Sequence, residues 1–273
     1  GFTLCASHLV WGSYDEGFLP VWLKNGNYSK EELLVILKNH ITTIVNRYKG
    51  KIKIWSIANE APERDRFSGL DFWFDHIGPE YVEKSFQWAR EADPDGILLL
   101  NSANNENPRD LETKANIAAL YEMVSSLKEK NIPIDVVGMQ MHFFLPGNSK
   151  TPPNLKEVAA TMKEIGKLGV KLMITEMDVN LHELRGTPNE KLVIQNQVYA
   201  DMMQACIESG VCISFSTWGV SDSMSWISAK IRNNLYDFPV TDAAPLLFDA
   251  DYQPKQAYFT VQKVLLDFAN PEK

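Results

Sequence analysis

Six short apolar runs, each followed by a longer stretch with apolar residues at three- and four-residue spacing, constrain this chain more than any other feature in it. That alternation is the rhythm of βα units laid around a parallel sheet. The strands are expected at 4–11, 52–57, 97–100, 136–141, 170–175 and 211–218. Leu33, Leu34, Leu37, Ile41, Ile44 and Val45 carry the first long helical pattern, and others begin near Glu80, Thr113, Asn154, Asn189 and Lys255. Local signals agree. Ser29 with Glu31 and Glu32 behind it suits a helix start, and Gly210 stands where the preceding pattern stops.

The expected class is α/β, a TIM (β/α)8 barrel, although a closed barrel needs eight strands and only six are found. With 273 residues, 45% hydrophobic and 23% charged, the chain can bury a large core without being divided. No internal repeat, low-complexity tract or Pro/Gly/Ser linker breaks it, so one domain over residues 1–273 is expected.

The formal net charge of −8 comes from dispersed carboxylates rather than an acidic tail. That balance argues against nucleic acid or an anionic membrane as partner and fits a neutral polymer better. No apolar run approaches the roughly 20 residues of a membrane span, and the first residues lack the basic, apolar and small-residue order of a signal peptide. Cys206 and Cys212 lie close together where a helix passes through Ser209 and Gly210 into a strand. They can pair, which would favour an oxidising, extracellular setting, or sit as two buried thiols.

Five of the six strand positions end in polar or aromatic residues: Trp11, then Asn59 and Glu60, then Asn101, then Gln140 and His142, then Glu176 and Asp178. In a β/α barrel the carboxyl ends of the strands hold the active site, so these residues are expected to converge. Glu60 follows Ile57-Ala-Asn59 and Glu176 follows Met173-Ile-Thr175, each with apolar residues behind it. Glycoside cleavage asks for such a pair, one carboxyl protonated to give a proton to the leaving oxygen and the other ionised to attack or to activate water. His142, two residues past Gln140, is placed to orient Glu176. Trp218 and Trp226 bracket a polar loop, where aromatic faces can stack on the apolar side of a sugar ring.

Other chemistries lose their main signals. Asp178 and His182 after Glu176 could suggest a metal site, but the spacing matches neither HExxH nor a two-cysteine pattern, so no metal and no cofactor are expected. There is no GxSxG elbow, no GxxxxGK and no GxGxxG behind a strand.

Several runs together resemble glycoside hydrolase family 10, the endo-β-1,4-xylanases. Trp55-Ser-Ile-Ala-Asn-Glu-Ala61 is similar to the family's W-x-V-V-N-E-A, Ile174-Thr-Glu-Met-Asp178 to I-T-E-L-D, and Val137-Gly-Met-Gln-Met-His142 to G-x-Q-x-H. The segments from Trp218 to Trp226 and from Pro245 to Pro254 resemble the family's closing motifs, all in the family's order. The resemblance implies that Glu60 is the acid/base, Glu176 the retaining nucleophile and Asn59 a partner of the sugar 2-hydroxyl. It further implies that Gln140 contacts sugar or nucleophile, that His142 and Asp178 support Glu176, and that Trp218 and Trp226 wall the subsite before the scissile bond. Cys206 and Cys212 occupy the place of a disulfide found in many secreted members.

Departures accompany it. Members usually begin with two further βα units, including an E-N-x-x-K run, which have no counterpart here. The usual G-H-T-L-V-W-H reads Ala6-Ser-His-Leu-Val-Trp-Gly12, so Trp11 is kept while His8 falls one position late, which on a strand would turn it to the other face. The usual N-D-Y-N reads Asn101-Ser-Ala-Asn104, which implies weaker leaving-side binding. The expected protein is thus a secreted, retaining endo-xylanase acting on xylan or a related β-glycan. The alternatives are a non-catalytic polysaccharide-binding or inhibitor-like barrel, or a hydrolase of another β-glycoside.

Overall fold

The computed structural model describes residues 1–15, 17–64, 69–145, 153–227 and 243–270. Contacts gather the chain into two compact units. The first comprises Gly1–Ser102, Ala118–Gly138 and Leu168–Val170; the second comprises Ala103–Ile117, Met139–Lys167 and Lys171–Lys273.

The first unit opens with β1 (Cys5–Ala6), α1 (Val21–Lys24), α2 (Lys30–Tyr48) and β2 (Ile54–Asn59). The short α3 (Ala61–Arg64) and α4 (Phe72–Ile77) follow, then α5 (Glu80–Ala92) and β3 (Ile97–Ser102). Helix α6 (Leu111–Glu129) begins in the second unit and ends in the first, where it leads to β4 (Val136–Met139). β1 pairs parallel with β2, and β2 parallel with β3, which sets Asn59 opposite Asn101. Asp135 ties the entry of β4 to β3: its N–H donates to Leu98 O at 3.0 Å, and its carboxylate accepts from Leu98 N at 2.8 Å.

Apolar spacing explains the packing. In α2 the buried residues are Leu33, Leu37, Ile41 and Val45, a stripe at four-residue intervals, and α2 packs on α5, which covers β2 and β3. Trp55, Ile57, Leu98, Leu99 and Leu100 are buried, each stabilising the fold by roughly 1.5–3 kcal/mol on leaving water. Ser29 caps α2 by accepting from Glu32 N while the Glu32 carboxylate accepts the Ser29 N–H, the reciprocal capping box.

The second unit holds β5 (His142–Phe144), α7 (Leu155–Gly166), β6 (Lys171–Asn180), α8 (Pro188–Ser209), β7 (Cys212–Thr217) and α9 (Gln256–Ala269). β6 is central, parallel to β5 on one side and to β7 on the other. Helices α7 and α8 cover β6, and α9 packs on α8. Gly210 ends α8 with φ 68, a left-handed position where the lack of a Cβ avoids strain. A disulfide joins Cys206 to Cys212 across that turn, resolving the two readings of these cysteines in favour of the pair.

Three strand expectations change on folding. The run 4–11 contracts to two paired residues and an isolated bridge at Val10, because the backbone turns irregular through Ser7 and His8. The run 136–141 splits at Met141, which takes φ 63 and interrupts regular pairing before β5 resumes. The run 170–175 continues to Asn180, so Glu176 and Asp178 lie inside β6 rather than beyond its end.

Candidate active site

In the first unit the sheet brings His8, Trp11, Asn59 and Glu60 together. Parallel pairing carries β2 to Asn59, and Glu60 is the next residue, at φ 57. A side-chain-bearing residue in that region costs on the order of 1–3 kcal/mol, and it persists where neighbours over-determine it. Here the Glu60 N–H donates to Asn101 O at 2.9 Å, and Asn101 Nδ2 donates to Asn59 Oδ1 at 2.8 Å. Asn59 and Asn101 are both buried, which makes a rigid polar floor at the strand ends. Trp11 Nε1 donates to Glu60 Oε2 at 3.2 Å, while its ring packs on Phe18 with centroids 4.2 Å apart. One oxygen of Glu60 is thereby oriented by the indole.

His8 lies outside β1, so the alternation of faces along a strand does not govern it. Its Nδ1 sits 2.9 Å from Ser56 Oγ, and its ring meets Trp11 edge-on with centroids 6.2 Å apart. It therefore belongs to the group around Glu60.

The second unit assembles a denser cluster. His142 pairs in register with Asp178 across β5 and β6. Its Nε2 lies 3.2 Å from Glu176 Oε2, and its Nδ1 lies 3.0 Å from Asp178 Oδ1. The second contact is a close ion pair whose angle falls short of a hydrogen bond. Trp226 Nε1 donates to Asp178 Oδ2 at 2.7 Å, and the Trp226 ring leans on His142 and Phe144 with centroids 5.2 and 6.0 Å away. Gln140 accepts the Glu176 N–H through its carbonyl at 3.1 Å and is itself buried.

Burial alone would push the His142 imidazole down in pKa. The Asp178 charge and the hydrogen bonds and charge of the two carboxylates outweigh it and raise the group to about 10. The ring is thus cationic at neutral pH, with an N–H on each nitrogen: Nε2 donates to Glu176 and Nδ1 faces Asp178 as an ion pair. An imidazolium 3.2 Å from Glu176 sets a positive charge beside the carboxylate, as a nucleophile that must carry negative charge needs.

Trp226 is therefore part of the carboxylate cluster as well as a sugar-facing candidate. Trp218 stands at the end of β7, one-third exposed, with its N–H donating to Met177 O at 3.2 Å. Ala103, in the run Asn101-Ser-Ala-Asn104, is buried. Among the described residues no group of three or more His, Cys, Asp or Glu side chains is arranged to hold a metal.

One titratable residue escaped the sequence reading. Glu106 is buried in the second unit, where desolvation raises its carboxyl to about 7 against the opposing hydrogen bonds from its own N–H and that of His142. Its signal was the polar run Asn101-Ser-Ala-Asn-Asn-Glu-Asn107 directly behind a buried apolar strand.

The first unit thus presents a carboxylate held by an indole and the second a carboxylate bound to an imidazolium, and the comparisons with known proteins give the class as a glycoside hydrolase on a β/α barrel. The chain belongs to glycosyl hydrolase family 10, whose model matches residues 1–264. It is 34% identical over 257 residues to endo-1,4-beta-xylanase B of Thermotoga neapolitana, covering 94% of this chain and 68% of that protein. It is 33% identical to a beta-1,4-xylanase of Dictyoglomus thermophilum, covering 96% and 71%, and 32% identical to endo-1,4-beta-xylanase B of Neocallimastix patriciarum, covering 96% and 27%. Among solved structures, native xylanase 10B from Thermotoga maritima superposes with a TM-score of 0.83 at 34% identity, covering 97% of this chain and 75% of that one. Xylanase 10B from Thermotoga petrophila RKU-1 in complex with xylobiose gives 0.81 at 34% identity, covering 96% and 73%. These likenesses fix the class as the β/α barrel, and six βα units of it are present among the described residues.

Proposed function

We propose that this chain hydrolyses internal β-1,4-xylosidic bonds of xylan with retention of configuration, Glu60 serving as acid/base and Glu176 as nucleophile. The observation that carries this reading is the His142 imidazolium, with Glu176 on one nitrogen and Asp178 on the other. Family membership and the xylanase relatives support the substrate.

In the first step the Glu176 carboxylate attacks the anomeric carbon while Glu60 gives its proton to the leaving oxygen. In the second, Glu60 takes a proton from water as that water displaces Glu176 from the sugar. His142 donates to Glu176 throughout, which holds the carboxylate ionised and aimed before attack and receives it again as leaving group. Trp226 anchors Asp178, and Asp178 in turn keeps the imidazole charged and oriented. Trp11 fixes one oxygen of Glu60 and so assigns proton transfer to the other. Asn59, held by Asn101, is assigned to the sugar 2-hydroxyl, and Trp218 to the wall of the subsite before the scissile bond. The buried Ala103, in the run set against the family's N-D-Y-N, supports weaker binding on the leaving side.

The Cys206–Cys212 disulfide supports an extracellular setting, since such bonds persist where the surroundings are oxidising.

The test is to follow new reducing ends from soluble xylan and from β-1,4-glucan with the wild-type chain and with Glu60→Ala and Glu176→Ala. Release from xylan that both substitutions abolish, with folding intact, is expected. Binding to xylan without release would point to a non-catalytic polysaccharide-binding protein, and preferential release from glucan to a different β-glycoside hydrolase.

A further inference from the structure

Resting on the assignment of Glu176 as nucleophile, we propose that Glu106 is a positioning residue for the reaction, acting on Glu176 through the main chain of His142.

β5 resumes at His142 after the left-handed Met141, so His142 enters the strand from an irregular turn rather than from a continuous ladder. Its ring position therefore depends on what holds its backbone. On one side is β6, where His142 stands in register with Asp178. The other anchor is Glu106, whose carboxyl accepts the His142 main-chain N–H. A carboxyl is the stronger of the acceptors available to such an amide, because charge-assisted hydrogen bonds are shorter and roughly twice as strong as neutral ones. Fixing the amide fixes the Cα, and the imidazole that meets Glu176 at 3.2 Å hangs from it.

The surroundings of Glu106 fit a held group rather than a surface charge. It is buried, and a pocket of about 20 Å3 beside it, lined with Asn104, Thr113 and His142, leaves room for roughly one water. The charged groups facing it are His142 and Asp178 from β5 and β6, with Asp110 and Glu112 lining the same pocket from the start of α6. Arg109, the nearby cation of that loop, is engaged by Glu157 at 2.7 Å. The imidazolium of His142 is thus the positive charge that favours the ionised form of Glu106, opposing its desolvation.

Two substitutions separate anchoring from mere filling. Glu106→Ala removes the acceptor; Glu106→Gln keeps an acceptor oxygen of the same reach without charge. With soluble xylan, Glu106→Ala is expected to lower kcat by about 10- to 100-fold, the order expected for misplacing a reacting group by about 1 Å, while KM changes by less than about three-fold. Glu106→Gln is expected to restore kcat to within about five-fold of wild type, an order set by exchanging a charge-assisted hydrogen bond for a neutral one. Should Glu106→Ala fail to fold, Glu106→Asp, which withdraws the carboxyl by one methylene, takes its place with the same expected drop. A folded Glu106→Ala or Glu106→Asp with wild-type kcat overturns the inference, as does a Glu106→Gln enzyme as impaired as the alanine variant. In either case an active wild type and an inactive Glu176→Ala would leave the two-glutamate reading standing. An inactive wild type would overturn both.

Discussion

Nε2 of the part-buried His142 lies 3.2 Å from Oε2 of the buried Glu176, on neighbouring parallel strands joined in register. The pair gives Glu176 a cationic donor that no solvent-exposed arrangement would sustain, because Asp178 on the opposite nitrogen keeps the ring protonated.

That charge leaves a mark on stability. The folded-state pKa of His142, about 10, stands above the ordinary value of 6.5. Its contribution is therefore fully present below about pH 6.5 and is lost as pH rises through about 10. The difference in Tm between wild type and His142→Gln is expected to be largest below about pH 6.5 and to shrink steadily from there up to about pH 10. Thermal unfolding of both proteins across that range checks it, and a constant difference would contradict the charged ring.

Trp226→Phe keeps the aromatic face against His142 but removes the N–H that Asp178 Oδ2 accepts at 2.7 Å. Asp178 is fully buried, so the lost donor is expected to cost about 1–3 kcal/mol of stability. A fall in kcat should accompany it, since the orientation of His142 depends on Asp178. Denaturant melts and steady-state kinetics measure the two effects separately. If only KM moved, Trp226 would be a sugar platform alone.

Trp11→Phe is the matching change in the first unit. It leaves the packing on Phe18 and takes away the donor to Glu60 Oε2. A fall in kcat of about ten-fold is expected, which corresponds to about 1.4 kcal/mol, with little change in substrate affinity.

Cys206 and Cys212 close a loop of six residues' separation, too short to restrain much of the unfolded chain. Replacing both with serine is expected to cost about 2 kcal/mol in the loop-entropy model, detectable as a lower urea midpoint with activity retained.

Much of this was legible beforehand because it depends on periodicity. The four-residue stripe of α2, the box at Ser29 and the stop at Gly210 all lie where local chemistry predicts them. The short α1, α3 and α4, of four to six residues, show no period to detect. The break at Met141 was hidden for a different reason: nothing about methionine announces a left-handed residue. The candidate residues around Glu60 and around Glu176 were readable as strand-end polar groups. Their bonds were not, because Trp11 to Glu60 and Trp226 to Asp178 span 49 and 48 residues. Glu106 was passed over as one polar residue in a polar run, and burial alone set it apart.

The most direct measurement is the configuration of the first sugar released from xylan, followed by proton NMR before mutarotation sets in. The account predicts the β-anomer first, with the α-anomer growing in later, because Glu176 attacks and is displaced in two successive inversions. An α-anomer at the earliest times would show single displacement by water and contradict the nucleophile assigned to Glu176.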